Sequence, residues 1–153
     1  MYRKKGYEEQ WISKRIRSIQ DRKQLTDVWK DGGITEANEY SILTNEIYKT
    51  WSVMTAKEYK NFKGLRKESL RDNMSDIEIA LTNIGEIAAR DIAKEEKPNG
   101  LEENIKVAHR GGQVASDARK SYEKAINKSA ISSENTLNYQ YIDEVKEIVN
   151  VKN

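Results

Sequence analysis

Apolar residues recur at the spacing of an amphipathic helix from the first part of the chain onward. Residues 8–29 form the first such segment, in which Ile12, Ile16 and Ile19 lie four and three positions apart. Gly32-Gly33 follows, and glycines at such a position usually end a helix. The pattern therefore predicts a first helix over residues 8–29, whose apolar positions are these isoleucines and, at its end, Leu25, Val28 and Trp29.

A second segment, residues 36–51, predicts another amphipathic helix. Its apolar positions recur at intervals of three, four and four and form an aromatic-rich stripe, which we interpret as core: Tyr40, Leu43, Ile47 and Trp51. All three tryptophans of the chain lie in these first two segments, at positions 11, 29 and 51. They predict one aromatic cluster that joins the two helices.

Two stretches with the Ser/Thr-x-x-Glu spacing of a capping box mark further helix starts. Thr55-Ala-Lys-Glu58 opens a short helix that Gly64 ends, and a second short piece continues over residues 65–73. Ser75-Asp-Ile-Glu78 opens a long helix whose apolar stripe consists of Ile77, Leu81, Ile84, Ala88 and Ile92.

Pro98-Asn99-Gly100 separates this helix from the next, and Asn99 is a suitable N-cap with Glu102 at the third helical position. The segment that follows has the most regular pattern of the chain, a seam with alternating intervals of four and three: Leu101, Ile105, Ala108, Gly112, Ala115, Arg119, Tyr122 and Ile126. The short loop predicts antiparallel packing against the preceding helix. Gly111-Gly112 inside a helix costs roughly 2 kcal/mol relative to alanine, so a kink at this point is the alternative.

Together these segments predict an all-α fold. We expect a bundle of five or six helices in which residues 75–96 and 100–126 form a long antiparallel hairpin. Residues 1–140 are expected to form a single helical domain, and residues 141–153 a short helix or tail. No alternation of period two persists long enough to predict a strand.

Composition supports long helices and excludes several kinds of site. The 153 residues include only one proline, the residue that most often breaks a helix. No cysteine is present, which excludes disulfides, thiolate zinc sites, iron–sulfur clusters and cysteine nucleophiles. The single histidine, His109, leaves no histidine-rich metal site and makes a Ser-His-Asp triad depend on one residue. We therefore expect a protein that is not an enzyme, with no catalytic residue, metal or cofactor.

Charge is distributed unevenly along the chain, although its net value is only +2. Residues 1–30 contain nine basic and four acidic residues, so this segment carries +5 and the remainder −3. A basic helix with aromatic residues could contact nucleic-acid phosphates, bind an acidic protein surface or form a solvated face. A second group of cations surrounds a turn before a predicted helix, where phosphate can bind. The candidate partner or phosphate contacts are Lys14, Arg15, Arg17, Arg22, Lys23, Lys63, Arg66 and Lys67.

The small-residue seam of the last long helix is a second candidate surface. Small side chains let another helix approach closely, either within the chain or across a homodimer. The residues concerned are Ala108, Gly112, Ala115, Arg119 and Tyr122. We expect no membrane-spanning segment, because the longest apolar run is only a few residues, and hence a cytoplasmic location.

An ordered set of stretches adds a family resemblance. The set consists of Lys4-Lys-Gly-Tyr7; Trp11-Ile12-x-x-Arg15-Ile16-Arg17-Ser-Ile19; Arg22-Lys23-x-Leu25-Thr26-Asp27-x-Trp29; Glu39-Tyr40-Ser-Ile42-Leu43-Thr44-Asn45-Glu46-Ile47; Met54-Thr55-x-Lys57-Glu58-Tyr59-Lys60; Lys63-Gly64-Leu65-Arg66-Lys67-Glu68-x-Leu70-Arg71-Asp72-Asn73-Met74-Ser75; Ala108-x-Arg110-Gly111-Gly112-x-Val114-Ala115 with Ala118-Arg119; and Ser132-Ser133-x-Asn135. In this order and spacing the set resembles the C-terminal region of BRO-family phage antirepressors. It is also similar to the related C-terminal region of damage-inducible protein D, and it covers roughly residues 4–137.

The resemblance implies a phage or prophage regulatory protein that acts on another protein in the cytoplasm of a bacterial host. Family members usually carry an N-terminal BRO domain, the DNA-binding part, and this chain begins near the point where that domain would end. The expected function is therefore protein–protein interaction, in which a helical surface occludes a repressor, a recombination factor or a host-defence protein. Nucleic-acid binding through the basic first helix and counter-defence binding of a small nucleotide signal remain the alternatives.

Overall fold

A computed structural model describes residues 9–135 of the chain, and over this range every regular element is helical. The predicted all-α fold is confirmed. The α-helices are α1 (Glu9–Asp31), α2 (Ala37–Ser52), α3 (Ala56–Phe62), α4 (Asp76–Glu96) and α5 (Gly100–Ile126), with a single 3-10 turn at Arg71–Asn73. The predicted tail, residues 141–153, lies outside the described residues.

Helices α4 and α5 form the antiparallel hairpin that the sequence predicts, joined by a three-residue loop, Lys97 to Asn99. Helix α2 packs along α5, and α1 packs along α4. The hairpin therefore contacts α1 mainly through α4 and α2 mainly through α5. Helix α3 and the 3-10 turn connect α2 to α4.

Small residues let these helices cross at close range. A Cβ atom added at Gly111 of α5 would lie 2.7 Å from Ala89 and from the carbonyl oxygen of Gly85, both in α4. One added at Gly112 would lie 2.6 Å from Thr50 of α2. Because such distances are below van der Waals contact, both positions require glycine. Helix α5 continues through this pair without a break, from Gly100 to Ile126.

The helix starts follow local chemistry. Capping boxes are present at Thr55 and Ser75, whose hydroxyls accept hydrogen bonds from the backbone N–H groups of Glu58 and Glu78. Asn99 is the N-cap of α5 as expected, but its side chain makes no capping hydrogen bond, and its N–H donates to Glu103 Oε2 (2.6 Å) and not to Glu102. The predicted helical piece over residues 65–73 is also wrong, apart from the 3-10 turn at its end.

The apolar core combines the predicted stripe of α2 with aromatic side chains from three helices. Leu43, Ile47 and Trp51 are buried and Tyr40 is half-buried, so the interpretation of this stripe as core is confirmed. The ring of Trp29 in α1 lies 6.1 Å from Tyr40. A second ring group joins Tyr48, Trp51 and Tyr59, with centroids 6.0 to 6.3 Å apart.

The predicted apolar stripe of α4 is largely wrong. Leu81 is buried, but Ile84 is 39% exposed and Ile77 and Ile92 are only half-buried. The buried face lies to one side of that stripe and includes polar residues: Glu78, Ile79, Leu81, Thr82, Gly85, Glu86, Ala89 and Ala93. Two glutamates can lie in the core because cations from other segments neutralise them there.

Candidate partner interface on the first helix

Helix α1 is turned so that much of its polar side faces the protein. Its buried residues are Trp11, Ile12, Arg15, Ser18, Asp21, Leu25 and Trp29. Of the predicted apolar positions, Ile12, Leu25 and Trp29 are buried and Val28 is half-buried, whereas Ile16 is 47% and Ile19 43% exposed. The bounds of the helix agree with the prediction within two residues at each end, but the predicted apolar face is wrong at Ile16 and Ile19, where Arg15, Ser18 and Asp21 are buried instead.

The N-terminal half of α1 is fixed to the segment before α4. The indole N–H of Trp11 donates to the carbonyl oxygen of Met74 (3.0 Å). The guanidinium of Arg15 donates from Nε to Asp72 Oδ1 (2.8 Å), and both side chains are largely buried. The two candidate cations thus differ in their exposure. Arg15 forms a largely buried ion pair within the fold, whereas Lys14 forms an exposed ion pair with Asp76.

The middle of α1 is fixed by a buried carboxylate. Glu86 of α4 receives two parallel hydrogen bonds from the Arg71 guanidinium (both 2.6 Å) and a third from Arg22 Nη1 (3.0 Å). Burial alone would raise the pKa of the Glu86 carboxyl, but the two guanidinium groups outweigh it and hold that pKa below its ordinary value. The Arg22 guanidinium also lies 5.2 Å from the Trp29 ring centroid and donates to Thr44 of α2.

Further along α1, a cation on α4 completes the attachment. Arg90 donates to Gln24 (2.6 Å) and approaches Asp21 (3.5 Å). With Arg15, Arg22 and their acidic partners, this contact makes the α1–α4 interface strongly polar. The orientation of α1 is therefore set by ion pairs as well as by the buried rings of Trp11 and Trp29.

The side of α1 that faces away from α4 carries the exposed side chains of the helix. We define the outer face of α1 by Ile16, Arg17, Ile19, Gln20 and Lys23, all exposed. Arg17 has no ion-pair or hydrogen-bond partner among the described residues, and Lys23 pairs only with Asp27 one turn away (3.4 Å). Over residues 13–30 the exposed positions include four basic side chains and one acidic one. The outer face is thus an apolar pair surrounded by net positive charge.

The candidate cations around the turn at residue 63 also divide into one that is buried and two that are exposed. Lys63 is fully buried, and its ammonium donates to Glu78 Oε1 (2.8 Å) and to the carbonyl oxygens of Ser132 (2.7 Å) and Glu134 (2.9 Å). Tyr59 donates its hydroxyl to the other oxygen of Glu78. Lys63 thus fastens the segment after α5 to α4, and its ammonium does not reach the surface. Arg66 and Lys67 are exposed.

The small-residue seam of α5 is occupied within the chain. Ala108 and Ala115 are fully buried, and Gly112 lies against Thr50 of α2. Arg119 donates to the carbonyl oxygen of Trp51 (3.0 Å), and Tyr122 is half-buried. The helix-packing interpretation fits the burial of Ala108, Gly112 and Ala115, and these three residues are covered by the chain itself.

His109 joins α5 to α2 at the surface. Its Nδ1 lies 3.1 Å from Glu46 Oε1 and 3.1 Å from Thr50 Oγ1. In the part of the chain that the structure describes, no three acidic or histidine side chains are grouped so that they could hold a metal ion. None of the described helices is long and apolar enough to cross a membrane.

Sequence reasoning missed the two buried glutamates that organise these contacts. Glu78, Thr82 and Glu86 are spaced by four, which places them on one side of α4 beside Gly85 and Ala89. A polar row flanked by small residues is a detectable sign of close packing. The cations that neutralise it come from α1, from residue 63 and from residue 71, and no local pattern links those positions.

Comparison with protein-family models, with curated proteins and with solved structures found no match to this chain. The resemblance to antirepressors and to damage-inducible protein D therefore rests on the ordered motifs alone and remains a prediction.

Proposed function

We propose that this protein acts by binding another protein through the outer face of α1. The observation that supports this is the exposure of Ile16 and Ile19, one helical turn apart, on a helix whose polar side is held inward by ion pairs. An amphipathic helix of a globular protein normally places its apolar stripe towards the core. Here part of the stripe faces solvent, where a partner can cover it.

Other exposed apolar residues support this choice by contrast. Ile42, Ile84 and Val114 have comparable exposures of 39 to 41%, but each is isolated on its own helix. Single surface hydrophobes are normal in soluble proteins, whereas an apolar pair with a charged border marks an interaction site. Only on α1, among the described helices, do two such residues lie within one turn.

The chemistry of this face indicates the partner surface. A helix that presents apolar residues three apart docks in an apolar groove. Arg17 and Lys23 border the pair, and the exposed side of α1 carries more basic than acidic residues. We therefore expect a partner protein with an apolar groove and an acidic rim, which would also accelerate association.

The family resemblance supplies the biological side of the proposal. We propose a phage or prophage inhibitor that works in the cytoplasm of a bacterial host and occludes a repressor, a recombination factor or a host-defence protein. Nucleic-acid binding is less favoured, because Arg15, Arg22 and Lys63 are bound to carboxylates within the fold.

A charge substitution at the apolar pair tests the proposal. Complete burial of one isoleucine side chain is worth about 1.5–3 kcal/mol. Ile16 and Ile19 are about half exposed, so sealing both contributes roughly 1.4–2.7 kcal/mol, or about 10- to 100-fold in Kd. The double variant Ile16→Glu/Ile19→Glu should weaken binding by at least this factor, since it also adds two charges opposite an acidic rim.

The matched control is Ile42→Glu/Ile84→Glu, which makes the same chemical change at equally exposed positions on α2 and α4. Tagged wild type and both double variants would be used for affinity capture from a bacterial lysate, and each captured protein would be titrated calorimetrically. We expect a partner that binds the wild type and the control but not the α1 variant. Equal binding by the α1 variant would contradict the proposal, as would DNA binding at low salt with no protein partner.

A further inference from the structure

We propose that a cavity at the C-terminal end of α1 binds a small organic anion that has a flat apolar body. The cavity has a volume of about 370 Å³ and is lined by Val28, Asp31, Gly32, Ala93, Lys94, Lys97, Pro98 and Asn99. It lies where α1 ends against the loop between α4 and α5. This proposal is independent of the outer face of α1, because Ile16 and Asp31 are 15 residues apart, or about 22 Å along the helix.

The wall of the cavity is held in place by backbone contacts around Gly32. The carbonyl oxygen of Gly32 accepts hydrogen bonds from Gly100 N (2.8 Å) and from Asn104 Nδ2 (3.3 Å). A Cβ atom at position 32 would lie only 2.9 Å from the carbonyl oxygen of Pro98, so the chain segments are in direct contact here. The cavity is therefore a preformed feature of the fold, as ligand sites commonly are.

The lining has an apolar floor and a charged rim. Ala93 and Pro98 are buried and Val28 is half-buried, whereas Asp31, Lys94 and Lys97 are exposed. None of these three charged residues forms an ion pair with another described residue. Two ammonium groups on the α4 side are thus free to bind an anion, and one carboxylate on the α1 side is free to accept a hydrogen bond.

These features define the ligand. Pockets for small molecules range from about 300 to 1,000 Å³, so this cavity suits a ligand at the lower end. The floor favours a flat apolar body, the lysines select a phosphate or carboxylate, and Asp31 selects a donor group. A nucleoside monophosphate whose base carries an amino group combines all three properties.

Adenosine 5′-monophosphate is the probe that tests this inference. The ¹⁵N-labelled full chain would be titrated and its backbone amide resonances followed by NMR. We expect saturable shifts centred on Gly32 and Lys97, with a Kd below about 1 mM. Adenosine, which lacks the anion, and inorganic phosphate, which lacks the apolar body, should each bind at least about tenfold more weakly.

A pair of charge-reversed variants locates the site. Lys94→Glu/Lys97→Glu should weaken AMP binding at least about tenfold. The control, Lys120→Glu/Lys124→Glu, makes the same change at exposed positions of α5 and should stay within about twofold of the wild type. The inference is overturned if no amide near the cavity shifts at about 5 mM AMP, if phosphate alone binds as well as AMP, or if both double variants lose binding equally.

Discussion

The attachment of α1 through Glu86 yields a quantitative prediction, tested by the substitution Glu86→Gln. The carboxylate accepts three hydrogen bonds from two guanidinium groups, at 2.6, 2.6 and 3.0 Å. A glutamine of the same shape has one oxygen that can accept and one NH₂ group that can only donate. At least one of the three bonds therefore becomes a contact between two donors, and both guanidinium groups lose their negative partner.

The expected cost follows from this geometry. Glu86 is 1% exposed, and the Arg71 side chain is 13% exposed. Water therefore cannot solvate the Arg71 guanidinium well enough to replace the negative charge that the substitution removes. Removing one member of a buried ion pair typically costs about 3–5 kcal/mol. A domain of this size has a total stability of about 5–15 kcal/mol, so the variant should lose about a fifth or more of it. Urea denaturation followed by circular dichroism at pH 7 would measure this loss.

The pH dependence of the difference in unfolding free energy between wild type and Glu86→Gln provides a second check. The pKa of Glu86 is lowered in the folded protein, so its contribution is complete above the unfolded-state pKa of about 4.3. That contribution is lost as the pH falls through the folded-state pKa. The stability difference between wild type and Glu86→Gln should therefore be largest at neutral pH and shrink as the pH is lowered towards 2.

The control for this prediction is Glu95→Gln, which removes the same charge from an exposed position of the same helix. It should change stability by less than about 0.5 kcal/mol. A cost below about 1 kcal/mol for Glu86→Gln, or a cost that is unchanged in acid, would refute the role assigned to this carboxylate. The triple replacement of Glu86, Arg22 and Arg71 by methionine should be much less harmful than the single change, because no unpaired charge remains.

Two further predictions concern backbone positions. Gly111→Ala gains about 1 kcal/mol of helix propensity but places a methyl group 2.7 Å from Ala89 and Gly85 O, which should cost about 1–3 kcal/mol. Urea denaturation should therefore show a net loss of up to about 2 kcal/mol, and a more stable variant would show that the helices can separate there. Val53 has a φ of +66°, which is unfavourable for a β-branched residue, and its side chain is 79% exposed. Val53→Gly should therefore raise stability by about 0.5–1 kcal/mol and Tm by about 1–4 °C, and an unchanged or lower Tm would contradict the assigned strain.

The two sides of α1 connect stability with the proposed function. Arg15 and Arg22 face inward and hold the helix on α4, whereas Arg17 and Lys23 face outward beside Ile16 and Ile19. Charge reversal at Arg17 should therefore weaken partner binding while leaving stability nearly unchanged. Charge reversal at Arg22 should instead lower the stability of the fold, because it places a negative charge beside the buried Glu86.

Local sequence determined the helices and most of their ends. The capping boxes at Thr55 and Ser75, the glycines at 32 and 33 and the loop Pro98-Asn99-Gly100 act over a few residues, so they could be identified without a structure. The hairpin of α4 and α5 follows from the short loop and from the small seam of α5, whose close approach to α4 the structure confirms. The resemblance to antirepressors is likewise a property of the sequence alone.

Tertiary structure decided which face of each helix is buried. The isoleucines of α1 and the predicted stripe of α4 suggested apolar contacts, yet Arg15, Glu78 and Glu86 are buried there, and Arg22 is partly buried beside Glu86. Burying these groups is favourable only when opposite charges meet, and the partners are separated by 15 to 64 residues in sequence. No periodicity within one helix contains that information. The exposed pair on α1 and the cavity beside Gly32 both result from that long-range arrangement, and so they could be recognised only in the folded chain.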